Sequence, residues 1–140
     1  MTILDANVLV YLHNADAEHH TASWQWMEAA LGAEELIGIP WHSFLAFLRI
    51  TTSPGIMQRP LRLGEAAELI DGWLGNPQVV VPSPGRRFWK VLERVAEDSG
   101  TRGRGWSDAY LAALAIEQGA GLVTFDRDFR RYRGLRLVEL

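Results

Sequence analysis

The sequence predicts an α/β fold: a sandwich with a central parallel sheet of four to five strands and helices on both faces. Three observations predict it. Short, continuously apolar runs alternate with longer stretches of helical spacing along the whole chain. Those runs lack polar alternation, as strands buried on both faces do. Gly, Pro, Asn and Asp collect between the segments, where turns are needed.

Thr2-Ile3-Leu4 opens the chain as a strand that meets Asp5. Residues 7–12 are apolar again, with helical spacing. Thr21 is placed to cap a helix over 22–31, closed by Gly32. Residues 36–39, followed by Pro40, read as a second buried strand. A helix over 41–51 ends at the breaker Thr52-Ser53-Pro54-Gly55, and another over 63–74 ends at Gly75-Asn76-Pro77. Residues 78–81 carry the strongest strand signal, a run of valines. A helix over 88–98 leads into a Gly- and Arg-containing loop over 99–105. Ser107 is then placed to cap a helix over 108–118 that Gly119 stops. Residues 122–125 form a fourth strand running into Asp126, and 135–138 a last one. No repeat, linker or low-complexity segment interrupts this pattern, so residues 1–140 are expected to form a single domain.

Composition narrows the function. With 140 residues, 48% of them hydrophobic, the chain can fold without a disulfide or structural metal. The absence of cysteine excludes disulfide staples, thiolate zinc sites and cysteine nucleophiles. No apolar run approaches the roughly 20 residues of a membrane helix. No basic segment precedes an apolar one at the N-terminus. The expectation is a soluble, cytoplasmic protein. A net charge of −3 argues against a protein that coats nucleic acid indiscriminately. Charge is unevenly spread, however: up to Leu48 there are six acids and no Lys or Arg, and beyond it 14 basic and 11 acidic residues. Thirteen of the 14 bases are Arg, whose planar fork suits phosphate, although an Arg-rich codon usage gives the same count. Neither a Walker-type loop nor a nucleophile elbow is present.

In open parallel sheets, ligands bind beyond the carboxyl ends of the strands. Asp5 follows the first strand and Asp126 the fourth; Asp108 opens a helix, and Asp128 lies two residues past Asp126. Singly, each has a plain structural explanation as an Asx-turn, a helix-start acid or a solvated turn. Together they gather carboxylates on one edge. Converging carboxylates take up protons or bind a cation, and an all-oxygen set suits Mg²⁺ or Mn²⁺. The chemistry this suggests is metal-assisted phosphodiester hydrolysis. Asn7 and Thr124 are candidate donors that orient Asp5 and Asp126. Ser107 is a candidate for capping its helix, touching substrate, or both.

Three segments carry a family resemblance: Ile3 to Leu12 (ILDANVLVYL), Pro40 to Pro54 (PWHSFLAFLRITTSP), and Trp106 to Phe129 (WSDAYLAALAIEQGAGLVTFDRDF). The chain resembles the PIN-domain ribonucleases, and within them the VapC toxins of bacterial toxin–antitoxin pairs. The resemblance implies a PIN-like α/β/α fold and a Mg²⁺-dependent endoribonuclease, with Mn²⁺ as a substitute. It also implies an RNA substrate, commonly tRNA or another structured RNA, a cognate antitoxin protein and a homodimer. Asp5 and Asp108 would be the principal metal ligands, Asp126 would complete the acidic site and Asp128 would be an accessory. One departure stands out. The family usually has Glu where this chain has Ala46, three residues before Arg49. His42 and Ser43 lie within a turn of Ala46, but neither is an equivalent anionic ligand. The alternative is therefore a non-catalytic PIN-fold protein that binds RNA or an antitoxin.

Arg102 and Arg104 are the first candidates for RNA-backbone contacts, followed by Arg49, Arg86 and Arg87. The run Arg127, Arg130, Arg131, Arg133 is left open between facing RNA, an acidic segment of antitoxin, or nothing. His13 is a weak candidate for phosphate contact, and His19-His20 read as surface loop. Trp24, Trp73 and Trp89 are expected in the core, the alternative being that some of the tryptophans form a surface cluster for antitoxin or a second subunit.

Overall fold

The computed structural model describes residues 1–140. Strand β1 is Thr2–Leu4, β2 Ile37–Gly38, β3 Val79–Val80, β4 Gly121–Thr124 and β5 Arg136–Glu139. Helices α1 Ala6–His13, α2 His20–Gly32, α3 Trp41–Thr51 and α4 Leu63–Leu74 come from the first half of the chain. Helices α5 Phe88–Ser99 and α6 Gly105–Gln118 follow, and a short 3₁₀ turn, Arg127–Arg131, precedes β5. The five strands form one sheet in the order β3-β2-β1-β4-β5, and every neighbouring pair is parallel. The α/β/α expectation holds at its upper strand number. No helix is long and apolar enough to cross a membrane.

Successive side chains of a strand point to opposite faces, and here this splits the core in two. Ile3 and Leu122 face one cluster with α5, α6, Phe129 and Tyr132. Leu4 and Val123 face the other, with α1, α2, α3, Ile37 of β2 and Ile39 just beyond it. Ile3, Leu4, Leu122 and Val123 are all fully buried; each contributes about 1.5–3 kcal/mol by leaving water. Helix α6 closes against the sheet through five alanine-sized and leucine contacts in a row, Leu111 to Ala115. Small side chains there let it approach strands only four residues long or shorter.

Several boundaries differ from the sequence reading. Helix α2 starts at His20, so Thr21 lies inside it and caps nothing. It also runs through Gly32; the left-handed residue that ends it is Glu34, at φ 56°. The run 78–81 pairs only over Val79–Val80, at the sheet edge and half-buried. Pro82, which has no N–H to give, ends that pairing. Helix α6 begins at Gly105, so Ser107 is within its first turn and does not cap it. Trp73 packs between Phe44 and Phe47 as expected, but Trp24 and Trp89 are 51% and 58% exposed. The buried stripe of α2 is Ser23, Met27 and Ala30, which leaves Trp24 on its margin.

Candidate active site

All five strands point the same way, so their carboxyl ends share one edge of the sheet. Asp5 leaves β1 there and caps α1: its Oδ1 accepts the Ala6 N–H at 2.6 Å. Its Oδ2 accepts the Thr124 hydroxyl at 2.7 Å and the Asn7 amide at 3.0 Å. Thr124, fully buried at the end of β4, is the hub. Its Oγ1 also accepts from Asn7 Nδ2 and from the Asp126 N–H, both at 3.0 Å. The Asn7 Oδ1 accepts the Phe125 N–H at 3.4 Å. Thus Asn7 and Thr124 orient Asp5 directly and fix the backbone that carries Asp126. Asp126 in turn accepts the Asp128 N–H at 2.8 Å and so caps the 3₁₀ turn. A third segment is tied in by Ser43 of α3, whose hydroxyl donates to the Leu4 carbonyl at 2.7 Å, one residue before Asp5.

Asp108, in the first turn of α6, faces this group. Burial raises the pKa of Asp5 above the ordinary carboxylate value; the nearby charges of Asp108 and Asp126 push the same way, against the bonds from Thr124 and Ala6. Asp108 is raised as well, by burial and then by Asp126, with Asp128 adding to it and Arg131 opposing. The four aspartates singled out in the sequence therefore share one electrostatic neighbourhood. A hard divalent cation fits that donor set, because it relieves repulsion among oxygen ligands. No three acidic or histidine side chains close on a single point. Two carboxylates with water completing the shell is an arrangement that Mg²⁺ accepts.

Two features escaped the sequence. Arg131, on the 3₁₀ turn, reaches Asp108 Oδ2 at 3.2 Å and the Tyr132 hydroxyl at 2.8 Å. The run of four arginines gave no means of telling which one would turn inward. Next to it, Arg102, Arg104, Arg131 and Asp108 line a depression of about 310 Å³ with no hydrophobic residue in its wall. Arg102 and Arg104 thus lie beside Asp108. The second feature is a pair between α3 and α6: His42 Nε2 lies 2.8 Å from Ser107 Oγ. The His42 ring stacks on Tyr110, with centroids 5.0 Å apart, and burial lowers its pKa.

Other candidates lie elsewhere. Arg49 is exposed near the far end of α3, roughly 12 Å along the axis from its start, and takes part in none of the ion pairs. His13 ends α1, at the opposite end from Asp5, and lines an apolar groove with Leu12, Trp24 and Trp73. His19 and His20 are half-buried. His20 bonds the Tyr11 carbonyl at 2.8 Å, and His19 packs on Phe125.

The model of the PIN domain family matches residues 2–135. The chain belongs to the PIN domain family. Within the family it sits with the VapC proteins. It is 40% identical to Ribonuclease VapC37 of Mycobacterium tuberculosis, across 97% of this chain and 94% of that one. It is 33% identical to VapC ribonuclease Mb2897 of Mycobacterium bovis, across 97% and 92%. In shape this PIN domain is similar to a chain of the VapBC2 complex of Rickettsia felis bound to a promoter DNA fragment. The TM-score is 0.71 at 21% identity, over 99% of this chain and 98% of that one. A DNA-bound VapBC of Salmonella typhimurium gives 0.67 at 17% identity, over 99% and 98%.

Proposed function

We propose that this PIN domain is a Mg²⁺-dependent endoribonuclease, the toxin of a toxin–antitoxin pair, acting on tRNA or another structured RNA. The observation that carries the reading is the convergence of Asp5, Asp108 and Asp126 from separate segments, near enough to raise proton affinity at Asp5, in a chain 40% identical to a named ribonuclease. Asp5 and Asp108 would hold the cation, with Asp126 completing the site and Asp128 assisting. When bound, the cation would acidify water and offset charge on the phosphate during in-line displacement. Thr124 and Asn7 keep the Asp5 carboxylate aimed, so little reorganisation is needed as charge develops. Arg102 and Arg104 would hold the backbone of the RNA on the α6 side, where Arg131 adds a third cation. No side chain needs to act as a nucleophile.

Relatives in shape come from toxin–antitoxin complexes, which supports a protein antitoxin as partner. The apolar groove lined by Leu12, Trp24, Met27, Leu31, Leu69 and Trp73 is a surface such a partner would cover. We further propose a homodimer working in the cytoplasm.

Ala46 and the ion pair of Arg131 with Asp108 favour a second reading, a PIN fold that binds RNA or antitoxin without cutting. Purified wild type and Asp5→Asn, incubated with total tRNA and Mg²⁺, Mn²⁺ or EDTA, divide the two. Cleavage that requires metal and is lost in the variant supports the nuclease. Intact RNA with folded, antitoxin-free wild type in either metal supports the binding protein.

A further inference from the structure

The pair formed by His42 and Ser107 is used by nothing described so far. His42 stands at the carboxyl end of β2, beside the β1 end that carries Asp5. Ser107 immediately precedes Asp108 and is exposed. The two side chains bridge α3 and α6 across 65 residues of sequence.

The direction of their hydrogen bond follows from the other ring nitrogen. His42 Nδ1 is buried and has no partner. A buried N–H without an acceptor is rarer and costlier than an acceptor left short of a donor. Nδ1 is therefore the bare nitrogen, and the proton sits on Nε2. This also fits a ring kept neutral by burial. Ala46 is one helical turn on from His42; a carboxylate there would be an i,i+4 neighbour able to charge the ring, and alanine is not.

Nε2–H thus donates to Ser107 Oγ. A hydroxyl has one proton to give, and with His42 donating to it, the Ser107 proton is free for an outside acceptor. The reverse arrangement, with Ser107 as a nucleophile deprotonated by His42, needs Nδ1–H held by a carboxylate or carbonyl; Nδ1 has neither. Free backbone donors are also what this spot lacks. The amides of Gly105, Trp106 and Ser107 are already engaged by the carbonyls of Arg102, Gly103 and Arg104. The start of α6 therefore offers an anion no free N–H from its first three residues.

We propose that Ser107 is a substrate-contacting residue, whose hydroxyl donates to a phosphate oxygen of the RNA held at the aspartates, and that His42 is the positioning residue that orients it. The inference rests on the nuclease reading for the identity of the anion. The Arg-lined depression on the other side of Asp108 would receive the neighbouring phosphate.

The test uses the full chain as Ser107→Ala, His42→Phe, His42→Gln and the Ser107→Ala/His42→Phe double variant, with Asp5→Asn as control. Affinity for a fluorescein-labelled RNA stem-loop is read by anisotropy, with Ca²⁺ replacing Mg²⁺ to slow cleavage. Cleavage of total tRNA is followed in parallel, and the His42 tautomer is read from ¹⁵N side-chain NMR of the wild type. Ser107→Ala should lose about tenfold in affinity, the worth of one hydrogen bond to a charged group. His42→Phe should lose less, and nothing further in the Ser107→Ala background. His42→Gln, which keeps a donor near the Nε2 position, should restore binding. NMR should show a protonated Nε2 and a bare Nδ1. Wild-type affinity in Ser107→Ala, multiplying losses in the double variant, or a protonated Nδ1 would each overturn the proposal. The NMR result and Ser107→Ala decide even if His42→Phe does not fold. If Asp5→Asn abolishes cleavage while Ser107→Ala is silent, this inference falls alone. If the wild type neither binds nor cuts RNA, the nuclease reading falls and takes it along.

Discussion

Replacing Thr124 with Val tests whether one buried hydroxyl organises the acidic edge. Valine keeps the shape and removes the oxygen. Thr124 Oγ1 makes three hydrogen bonds: it donates to Asp5 at 2.7 Å and accepts from Asn7 and from the Asp126 N–H, each at 3.0 Å. The bond to the carboxylate is worth about 2 kcal/mol and the other two about 1 kcal/mol each. They share one atom and do not simply add, so the expected loss is about 3 kcal/mol. With an unfolding entropy of about 2.1 cal/mol/K per residue over 140 residues, melting should fall by about 10 °C. Thr124→Ser keeps the oxygen and loses one buried methyl, costing about 1 kcal/mol, or about 3 °C. Thermal melts followed by circular dichroism in EDTA give both numbers, and tRNA cleavage with Mg²⁺ should drop far more in the Val variant than in the Ser variant. Equal melting temperatures and equal cleavage for Val and Ser would refute the hub, because losing the hydroxyl would then cost no more than losing one methyl.

Three further outcomes follow from the geometry. Asp108 has a pKa raised above 3.8 in the folded state, so its ionisation weakens the fold progressively as pH rises through that raised value. Asp108→Asn should therefore gain in melting temperature over wild type as pH rises from about 4 in EDTA, levelling off above the raised value, and Mg²⁺ should close the gap; a difference that shrinks with pH would contradict the repulsion. Arg102→Ala with Arg104→Ala should weaken binding to single-stranded RNA and flatten the log–log salt slope by about 1.4, and an unchanged slope would remove both from the RNA path. Arg131→Ala releases Asp108 while taking a cation from the polar depression, so Mn²⁺ binding by calorimetry should tighten as RNA binding weakens; unchanged Mn²⁺ affinity would show that Arg131 does not compete for the carboxylate.

The aspartates were legible because two of them follow apolar runs, and a parallel sheet puts every strand end on one edge. Asn7 and Thr124 were legible for the same reason, being short polar residues beside those ends. The His42–Ser107 pair was not, because its members are far apart in sequence and meet only once α3 and α6 have docked. Its serine looked like a cap, since two glycines in Arg102-Gly103-Arg104-Gly105 read as loop. In the fold only Gly103 needs its freedom, at φ 56°, while Gly105 is already helical. Helix α2 was misplaced at its C-terminal end because Glu34 adopts the left-handed turn that Gly32 was expected to supply, a choice that tertiary packing makes and local propensity does not. Trp24 shares a stripe with Met27 and Leu31 in the sequence, which suits a core or an interface equally. The helix turns Ser23, Met27 and Ala30 to the sheet and leaves the indole to the groove.

The hub has a bearing on how the chain is made. Asp5 and Thr124 are 119 residues apart, and β1 lies in the middle of the sheet with β4 beside it. On the ribosome, β1 and β2 can pair early, but the Asp5 carboxylate gains its threonine and its companion acids only after β4 and Asp126 have emerged. Pairing across such a separation is slow as well as late. A growing chain therefore carries no assembled acidic edge until the segment from Gly121 to Asp126 has been made.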